Sequence, residues 1–324
     1  MSDNKGQLNR RDFLKKSGMA AILAVGSGVW GYLFYSKEPV REKEKKVFTF
    51  RDFTVESLKT YPDLAVSKGM DVEKIVRSVV DRLGGMGRFV KPGERVLVKP
   101  NASWDRQPEQ AANTNPLVVS TIVKMCLEAK AKEVWVTDVT VNDAHRSFSR
   151  SGIESAVLRA GGMIKFPTSN DFVTTDLKGE VLKVWPVCRF FHEVDRLINV
   201  PIVKHHSLSK CTIAMKNLYG VIGGQRNLLH QDIYTSIADL ATAIRPTLTI
   251  VDATRVLMRN GPTGGDPSDV YEYHTVAAST DIVAIETFAL RFLGLKVDDI
   301  PSISIAEKRG VGTSRLRDLH IAEM

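Results

Sequence analysis

Side chains that can bind anions, bind metals or transfer protons come directly after several short apolar segments of the chain. They are Asn101; Asp138, Asn142, Asp143 and His145; Lys204, His205 and His206; and Asp252, Thr254 and Arg255. In an open parallel sheet, ligands bind beyond the carboxyl ends of the strands. The sequence therefore predicts that these groups share one cleft at one edge of a sheet. A single segment of this kind would indicate only a turn, since Asp and Asn also favour turns.

The segment between residues 209 and 232 carries a second basic group. Met215–Gly220 ends a helical pattern, and a glycine-rich loop that ends at Arg226 follows it. Backbone amides of such a loop, next to Lys216, can hold a carboxylate or a phosphate. The alternative is a helix C-terminus with solvated charges. A further loop, Gly261–Asp266, is predicted either to close over the cleft or to be a surface turn.

These residue types indicate proton-transfer and charge-stabilising chemistry on a small anionic substrate. Lys99, Lys204 and Lys216 are expected to hold negative groups and to lower the energy of developing charge. His206 or His230 would exchange a proton, because the unperturbed imidazole pKa lies near neutrality. The remaining candidates for substrate binding are Asn101, Asn217 and Arg226.

The same cleft could instead hold a divalent metal. Asp138 and Asp252 would either orient the proton-exchanging histidine or ligate that metal, because histidine with carboxylates suits zinc, iron or nickel. Adjacent side chains of an extended chain point to opposite faces, so only one of His205 and His206 is expected to face the cleft. A structural, hydrogen-bonding role for the histidines is the alternative.

The elements that must position these residues alternate between β-rich runs and amphipathic helices. The predicted strands are 95–99, 133–137, 196–203 and 247–251, and the predicted helices are 71–84, 116–130, 153–160 and 281–293. This alternation predicts an α/β fold with a mostly parallel sheet and helices on both faces. A small hairpin insertion is predicted at Asp176–Val184. No internal repeat divides the chain, so residues 47–324 are predicted to form one α/β domain.

Composition and missing motifs exclude several classes of function. The 324 residues are 43% hydrophobic and 25% charged, and the net charge is +8. No long basic stripe with interleaved aromatic residues occurs, so nucleic acid is not expected as a partner. No GxGxxG motif opens a helix after a predicted strand, and GxxxxGK[ST], HExxH and GxSxG motifs are absent, which removes most support for a nucleotide-dependent enzyme or an ordinary serine hydrolase. Cys126, Cys188 and Cys211 match no zinc or iron–sulfur spacing.

The N-terminus resembles a twin-arginine export signal. Residues 9–16 read NRRDFLKK, which fits that motif except at Asn9, and an apolar run from Met19 to Tyr35 follows. The run ends in aromatic residues and then Lys37, as is typical of a membrane interface. Its length approaches the ~20 residues that span the hydrocarbon layer. Residues 1–36 are therefore expected to be an uncleaved signal and membrane anchor, and residues 37–46 a charged tether.

This signal predicts the location and the first partners. The domain is expected at the outer face of a cytoplasmic membrane, with the membrane and the twin-arginine translocase as partners. An ordinary membrane anchor that begins with two arginines is the alternative. Because the translocase moves folded proteins, export favours a bound cofactor without identifying it. A divalent metal or an iron–sulfur partner protein is the hypothesis, since this chain carries no cluster motif of its own.

Several ordered motifs are similar to the family called domain of unknown function 362, over roughly residues 70 to 310. The segments that carry the resemblance are 98–101, Asp138, 198–206, 214–220, His230, 237–240, 250–253 and 260–265. The resemblance implies nine site residues: Lys99, Asn101, Asp138, Lys204, His206, Lys216, Asn217, His230 and Asp252. Family members more often have Lys-Thr-His at 204–206, so His206 takes the place of the family histidine. Some members carry ferredoxin-like cysteine clusters, which implies redox partners.

Two hypotheses of function follow from these patterns. The first is a redox-associated or cofactor-dependent enzyme that acts on a small anionic substrate at the outer membrane face. The second is a non-catalytic subunit or assembly factor of an exported redox complex. A stable stoichiometric complex without a small molecule favours the second hypothesis, whereas a lone chain with a bound metal or organic ligand favours the first.

Overall fold

A computed structural model of the protein describes residues 46–324 together with Arg11, Leu14 and Lys15. Apart from those three residues, the predicted export signal and anchor lie outside the described residues, as does almost all of the predicted tether, and both stay predictions. In the part of the chain that is described, no helix is both long enough and apolar enough to cross a membrane.

A ten-stranded sheet with predominantly β-branched and aliphatic strands forms the centre of residues 46–324. The strands of the chain are β1 Leu64–Lys68, β2 Arg95–Pro100, β3 Glu133–Val136, β4 Met163–Ile164, β5 Phe172–Asp176, β6 Val184–Cys188, β7 Arg196–Val200, β8 Ile202–His206, β9 Lys210–Thr212, β10 Leu248–Leu257, β11 Val270–Ser279 and β12 Ile321–Glu323. The main order is β12-β1-β11-β10-β7-β2-β3-β4, while β8 pairs with β10 and β9, and β5 and β6 form a separate two-stranded sheet.

Most pairs in the large sheet are parallel, as the strand–helix alternation predicted. The run β10-β7-β2-β3-β4 is parallel throughout. Antiparallel pairing is confined to β11 with its two neighbours and to β8 with β9. The predicted hairpin insertion is also confirmed, although its antiparallel strands β5 and β6 flank the segment that the sequence had indicated.

Helices cover both faces of the sheet. They are α1 Val72–Arg82, α2 Met86–Phe89, α3 Pro116–Glu128, α4 Ala144–Arg150, α5 Ile153–Arg159, α6 Ala214–Asn217, α7 Ile233–Ala243, α8 Ile282–Ala289 and α9 Pro301–Lys308. Val96 and Val98 of β2 pack with α1, α3 and α5 in one core, whereas Leu97 packs with α7, α8 and α9 in the other. Since side chains alternate along a strand, Lys99 lies on the same face as Leu97.

The predicted strand at 196–203 is divided in two. Pro201 separates β7 from β8, because a proline has no N–H to donate to the ladder. Strand β7 pairs with β2 and β10, whereas β8 pairs with β10 at a shifted register and turns into β9. This division places Lys204 and His206 within β8, beyond the carboxyl end of β7.

Candidate functional site

A cavity of about 440 Å³ lies at the carboxyl ends of the parallel strands. Seven of the predicted site residues line it: Asn101, Lys204, His206, Lys216, Asn217, Arg226 and His230. The wall is completed by Ser103, Trp104, Val141, Ser207, Leu208, Thr212 and Asn227, by Tyr219, Gly220 and Gly224 of the predicted basic segment, and by Pro262 of the predicted loop at 261–266. None of these described lining residues is acidic, so the cavity wall carries cationic and neutral groups only.

A buried ion pair lies behind the cavity wall. Lys99 Nζ and Asp138 Oδ1 are 2.7 Å apart, and both side chains are fully buried. The second carboxylate oxygen accepts hydrogen bonds from the Ala102 amide at 2.8 Å and from Ser103 Oγ at 3.3 Å. Burial lowers the pKa of Lys99, and the attraction of Asp138 opposes that change. Both residues therefore stabilise the strand ends and lie outside the cavity lining.

Gly220 is required by this ion pair. A Cβ added at residue 220 would lie 1.7 Å from Asp138 Oδ1 and 2.6 Å from Lys99 Nζ, which are impossible contacts. The Gly220 carbonyl also accepts a hydrogen bond from the Val139 amide at 2.8 Å. The segment after α6 therefore packs directly on the end of β3, and only glycine fits there.

Amide side chains connect the ion pair to the cavity. Asn217 Oδ1 accepts from Lys99 Nζ at 3.3 Å and from Asn101 Nδ2 at 3.0 Å. Asn217 Nδ2 donates to Asn199 Oδ1 at 2.9 Å and to the Lys99 carbonyl at 3.3 Å. Asn101 Oδ1 in turn accepts from Lys204 Nζ at 3.0 Å. The network fixes the positions of the residues that form the floor of the cavity.

Lys216 presents its amine to the cavity without a hydrogen-bond acceptor. The side chain is 7% exposed, and its Nζ lies 3.8 Å from the centre of the Tyr219 ring. Among the described residues, none accepts a hydrogen bond from this Nζ and no carboxylate pairs with it. Burial, and then repulsion by Arg226, lowers the pKa of Lys216 to about 7. An amine that is half neutral near pH 7 can bind an anion, exchange a proton or attack a carbonyl carbon.

Lys204 is the second amine of the floor and is held more firmly. Its Nζ donates to Asn101 Oδ1 and, at 2.6 Å, to the Ala112 carbonyl. Burial lowers the pKa of Lys204 to about 7, with further lowering by Lys216 and Lys99 and an opposing effect of Asp138. Because an ammonium group has three N–H donors, one donor of Lys204 remains for a ligand.

His206 has a fixed tautomer. Its Nδ1 accepts hydrogen bonds from the amides of Leu208 at 3.1 Å and Ser209 at 3.3 Å. Burial, followed by repulsion from Lys216 and Lys204, lowers the pKa of His206 to about 3. The neutral ring therefore carries its proton on Nε2. These contacts favour a hydrogen-bond donor over the proton-exchanging role that the sequence suggested for this residue.

The other polar candidates at the cavity differ in how strongly they are held. Arg226 donates to the carbonyls of Val139 at 2.8 Å and Thr140 at 2.9 Å, so its guanidinium fixes the loop after β3. His230 is largely exposed, and the partial desolvation of its ring, followed by repulsion from Lys216 and Arg226, lowers its pKa. His205 does not line the cavity, as expected for a neighbour on an extended chain, and its Nδ1 accepts from the Gly261 amide at 3.1 Å.

Asp252 lies outside the cavity. The predicted strand at 247–251 continues to Leu257, so this residue lies within β10 and not after it. Its carboxylate accepts from the Asn115 amide at 2.7 Å and from the Thr254 amide at 2.9 Å. Burial raises the pKa of Asp252. The structure thus separates Asp252 from the other candidates and uses it to hold the start of α3.

Metal ligation by Asp138 and Asp252 stays a prediction. Asp138 Oδ1 pairs with Lys99, and protein donors occupy the Asp252 carboxylate as well. Within residues 46–324 and the three described residues before them, no group of three or more His, Cys, Asp or Glu side chains is arranged to hold a metal.

Glu286 is a buried residue that positions the site and that the sequence did not indicate. Its Oε2 accepts from the Met215 amide at 2.9 Å and so holds the N-terminus of α6, the single turn that carries Lys216 and Asn217. Burial raises the pKa of Glu286 to about 7. The sequence signal for this role was the single carboxylate in the apolar run 282–290. A buried acid needs specific hydrogen-bond donors, so such a residue indicates a contact with another segment.

A larger depression of about 1000 Å³ lies beside α1 and contains none of the predicted site residues. Two of its charged residues, Arg77 and Glu73, form an ion pair at 3.2 Å. The cavity that contains Lys216 is therefore the better candidate site, because its buried amine lacks an acceptor.

Comparison with known proteins identifies the family. A family model described as domain of unknown function (DUF362) matches residues 96–291, more than half of the chain. The thylakoid-associated protein sll1697 of Synechocystis sp. is 28% identical over 251 residues, which cover 73% of this chain and 74% of that protein.

Among solved structures, the lactate racemase apoprotein from Thermoanaerobacterium thermosaccharolyticum is similar at 13% identity with a TM-score of 0.42. The similarity covers 74% of this chain and 60% of that chain, and it is too slight to support a statement about fold or function. The family match lies within the segment where the sequence motifs suggested the resemblance. The chain belongs to the DUF362 family.

Proposed function

We propose that the protein binds a small anionic ligand in the cavity and acts on it as an enzyme or as a cofactor-carrying protein. The observation that carries the proposal is the Lys216 amine, which faces the cavity without an acceptor. Lys204 and His206 add donors on the same wall, and none of the described lining residues offers a competing carboxylate. A carboxylate or phosphate group would supply the acceptors that these donors lack.

The test is ligand binding to the full chain by titration calorimetry, with 3-phenyllactate and inorganic phosphate as probes. We expect binding of at least one anion and a roughly 10- to 100-fold loss of affinity in Lys216→Met, since a hydrogen bond to a charged group contributes about 1.5–3 kcal/mol. Lys308→Met is the matched control, because Lys308 is exposed and does not line the cavity. Equal affinities in all three proteins, or no binding of either anion, would contradict the proposal.

We further propose that the domain acts at the outer face of a cytoplasmic membrane and that redox proteins are its partners there. The twin-arginine motif at residues 9–16 and the apolar run after it support this location. The relative from Synechocystis is described as thylakoid-associated, which agrees with a membrane-bound protein. In cell fractionation, replacement of Arg10 and Arg11 by lysine should keep the protein in the cytoplasm, and normal export of that variant would refute the assignment.

The protein purified from its native membrane separates the enzyme from a non-catalytic subunit. Native mass spectrometry and metal analysis on one preparation measure the partners, the metal content and any bound organic molecule. A single chain that carries a small molecule or a metal supports the proposed function. A stoichiometric complex without either ligand would support an assembly or subunit role instead.

A further inference from the structure

The Lys216 amine differs from the lysines on the surface in two ways that matter for reactivity. It is buried next to an open cavity, and no described residue holds its Nζ in a hydrogen bond. At pH 7 its pKa of about 7 leaves half of the amine neutral. This is roughly a thousandfold more free amine than an ordinary lysine has at a pKa of about 10.4.

We propose that Lys216 forms an imine with the keto carbon of a 2-oxo carboxylate that carries an apolar side chain. The proposal rests on the anion-binding function proposed above and names the class of ligand. A lysine desolvated at an apolar wall and beside other cations is the arrangement that produces a nucleophilic amine.

The cavity offers separate positions for the three parts of such a ligand. The remaining N–H of Lys204 and the Nε2–H of His206 are donors for the carboxylate. Among the described residues, none accepts a hydrogen bond from that Nε2. Trp104, Val141 and Leu208 line the same cavity and supply apolar contact for the side chain. Lys216 lines the same cavity as these donors, so the keto carbon next to the carboxylate is the part of the ligand offered to its amine.

The reaction is a condensation that balances without a redox partner. The lone pair of the neutral amine forms the new C–N bond, and the carbon–oxygen double bond opens to a carbinolamine. The oxygen then leaves as water with both protons of the amine, and a C=N bond remains. One carbonyl compound and one amine are consumed, and one imine and one water are produced. When the pH equals the pKa of the lysine, half of the amine is unprotonated. In that half the lone pair is free for the first step.

The positive charges around Lys216 favour its neutral, nucleophilic form. Arg226 repels the protonated form of Lys216, and the Lys204 ammonium lies close enough to be affected by Lys216 in turn. Loss of the Lys216 proton relieves this repulsion. The carboxylate of the ligand brings a negative charge that Lys204 can retain after Lys216 has become an imine.

The experiment is reductive trapping on the full chain with phenylpyruvate and sodium borohydride. Reduction converts the imine into a stable secondary amine, so the intact mass rises by the mass of the acid less one oxygen atom. We expect one adduct per chain, on the peptide that contains Lys216, and a trapping rate that is highest near pH 7, because Lys216 must lose its proton while Lys204, whose pKa is also about 7, must keep its own. Lys216→Met should lose the adduct, whereas the exposed-lysine variant Lys308→Met should keep it.

Binding of 3-phenyllactate distinguishes failure of the imine from failure of the proposed function. This acid has the same carboxylate and apolar group but no keto carbon, so it tests anion binding alone. If phenyllactate binds in a Lys216-dependent manner and no phenylpyruvate adduct forms on Lys216, the imine is refuted and the anion site stands. If neither acid binds, both proposals fall. An adduct of equal yield in the native chain and in Lys216→Met also refutes the imine.

Discussion

Gly220→Ala should break the buried ion pair behind the cavity. The backbone of Gly220 is not in the left-handed region, so the added methyl group is the only new feature. Its Cβ would lie 1.7 Å from Asp138 Oδ1, whereas ordinary van der Waals contacts begin at 3.4 Å. The carboxylate must therefore move by more than an ångström away from Lys99. Separation of a buried pair leaves uncompensated charge and costs about 3–5 kcal/mol of unfolding free energy.

The measurement is guanidinium chloride unfolding followed by circular dichroism, with the free energy obtained by linear extrapolation. Gly87→Ala is the control, because a Cβ at residue 87 meets nothing within 4 Å. It lies within helix α2, where alanine should raise stability by about 0.5–1 kcal/mol.

A double-mutant cycle identifies the clash as the cause. In an Asp138→Ala background the methyl group of Gly220→Ala no longer meets a carboxylate, so most of its cost should disappear. We expect a coupling energy of about 2–3 kcal/mol between residues 220 and 138. A cost below about 1 kcal/mol in the native background, or an equal cost in both backgrounds, would refute the assigned packing.

Two further variants test the buried carboxylates. Asp252→Ala should lower the unfolding free energy by about 2–4 kcal/mol, because the buried Asn115 amide and the Thr254 side chain lose their acceptor. Anion affinity should be unchanged in this variant, and a loss of affinity in calorimetry would place Asp252 at the site after all. For Glu286 the folded pKa of about 7 lies above the ordinary glutamate value of 4.5. The protonated Glu286 side chain therefore contributes at most about 3 kcal/mol to the free energy of unfolding. This contribution is complete below pH 4.5 and is lost as the pH rises through about 7. Urea unfolding from pH 4.5 to 8 should show this decline in the native chain and a flatter profile in Glu286→Gln; identical profiles would disprove it.

The sheet was predictable where its strands are buried on both faces. The runs RVLVK at 95–99 and EVWV at 133–136 have apolar, largely β-branched centres that are buried. Such short apolar runs indicate strands directly. Strand β11 was not predicted, because its first half, VYEYH, is largely polar or exposed and only its second half enters the core. Strand β12 has only three residues, too few for any periodicity.

The site was predictable where its residues directly follow, or belong to, a strand that the sequence indicates. Strands β2 and β3 end close to where the sequence indicated, but of the predicted polar residues that follow them only Asn101 lines the cavity. Asp138, Asp143 and His145 line a separate depression of about 370 Å³, and Lys204 and His206 reach the cavity from within β8, which continues past residue 203. Asp252 was misplaced because antiparallel pairing with β11 extends β10 well past it, and pairing between distant segments leaves no local signal. The contribution of Glu286 depends on contact with α6, which is 71 residues away in sequence.

The carboxamide of Asn217 has a consequence for the movement of protons. All four of its hydrogen-bonding positions are taken, by Lys99, Asn101 and Asn199. A carboxamide neither gains nor loses a proton at physiological pH. Asn217 therefore fixes the positions of its neighbours but does not conduct protons between them. No proton passes through Asn217 between the amines and the Lys99–Asp138 pair, although the charges of the pair still influence the pKa of Lys204. Any proton released by Lys216 or Lys204 must leave through the mouth of the cavity, with the ligand or with water.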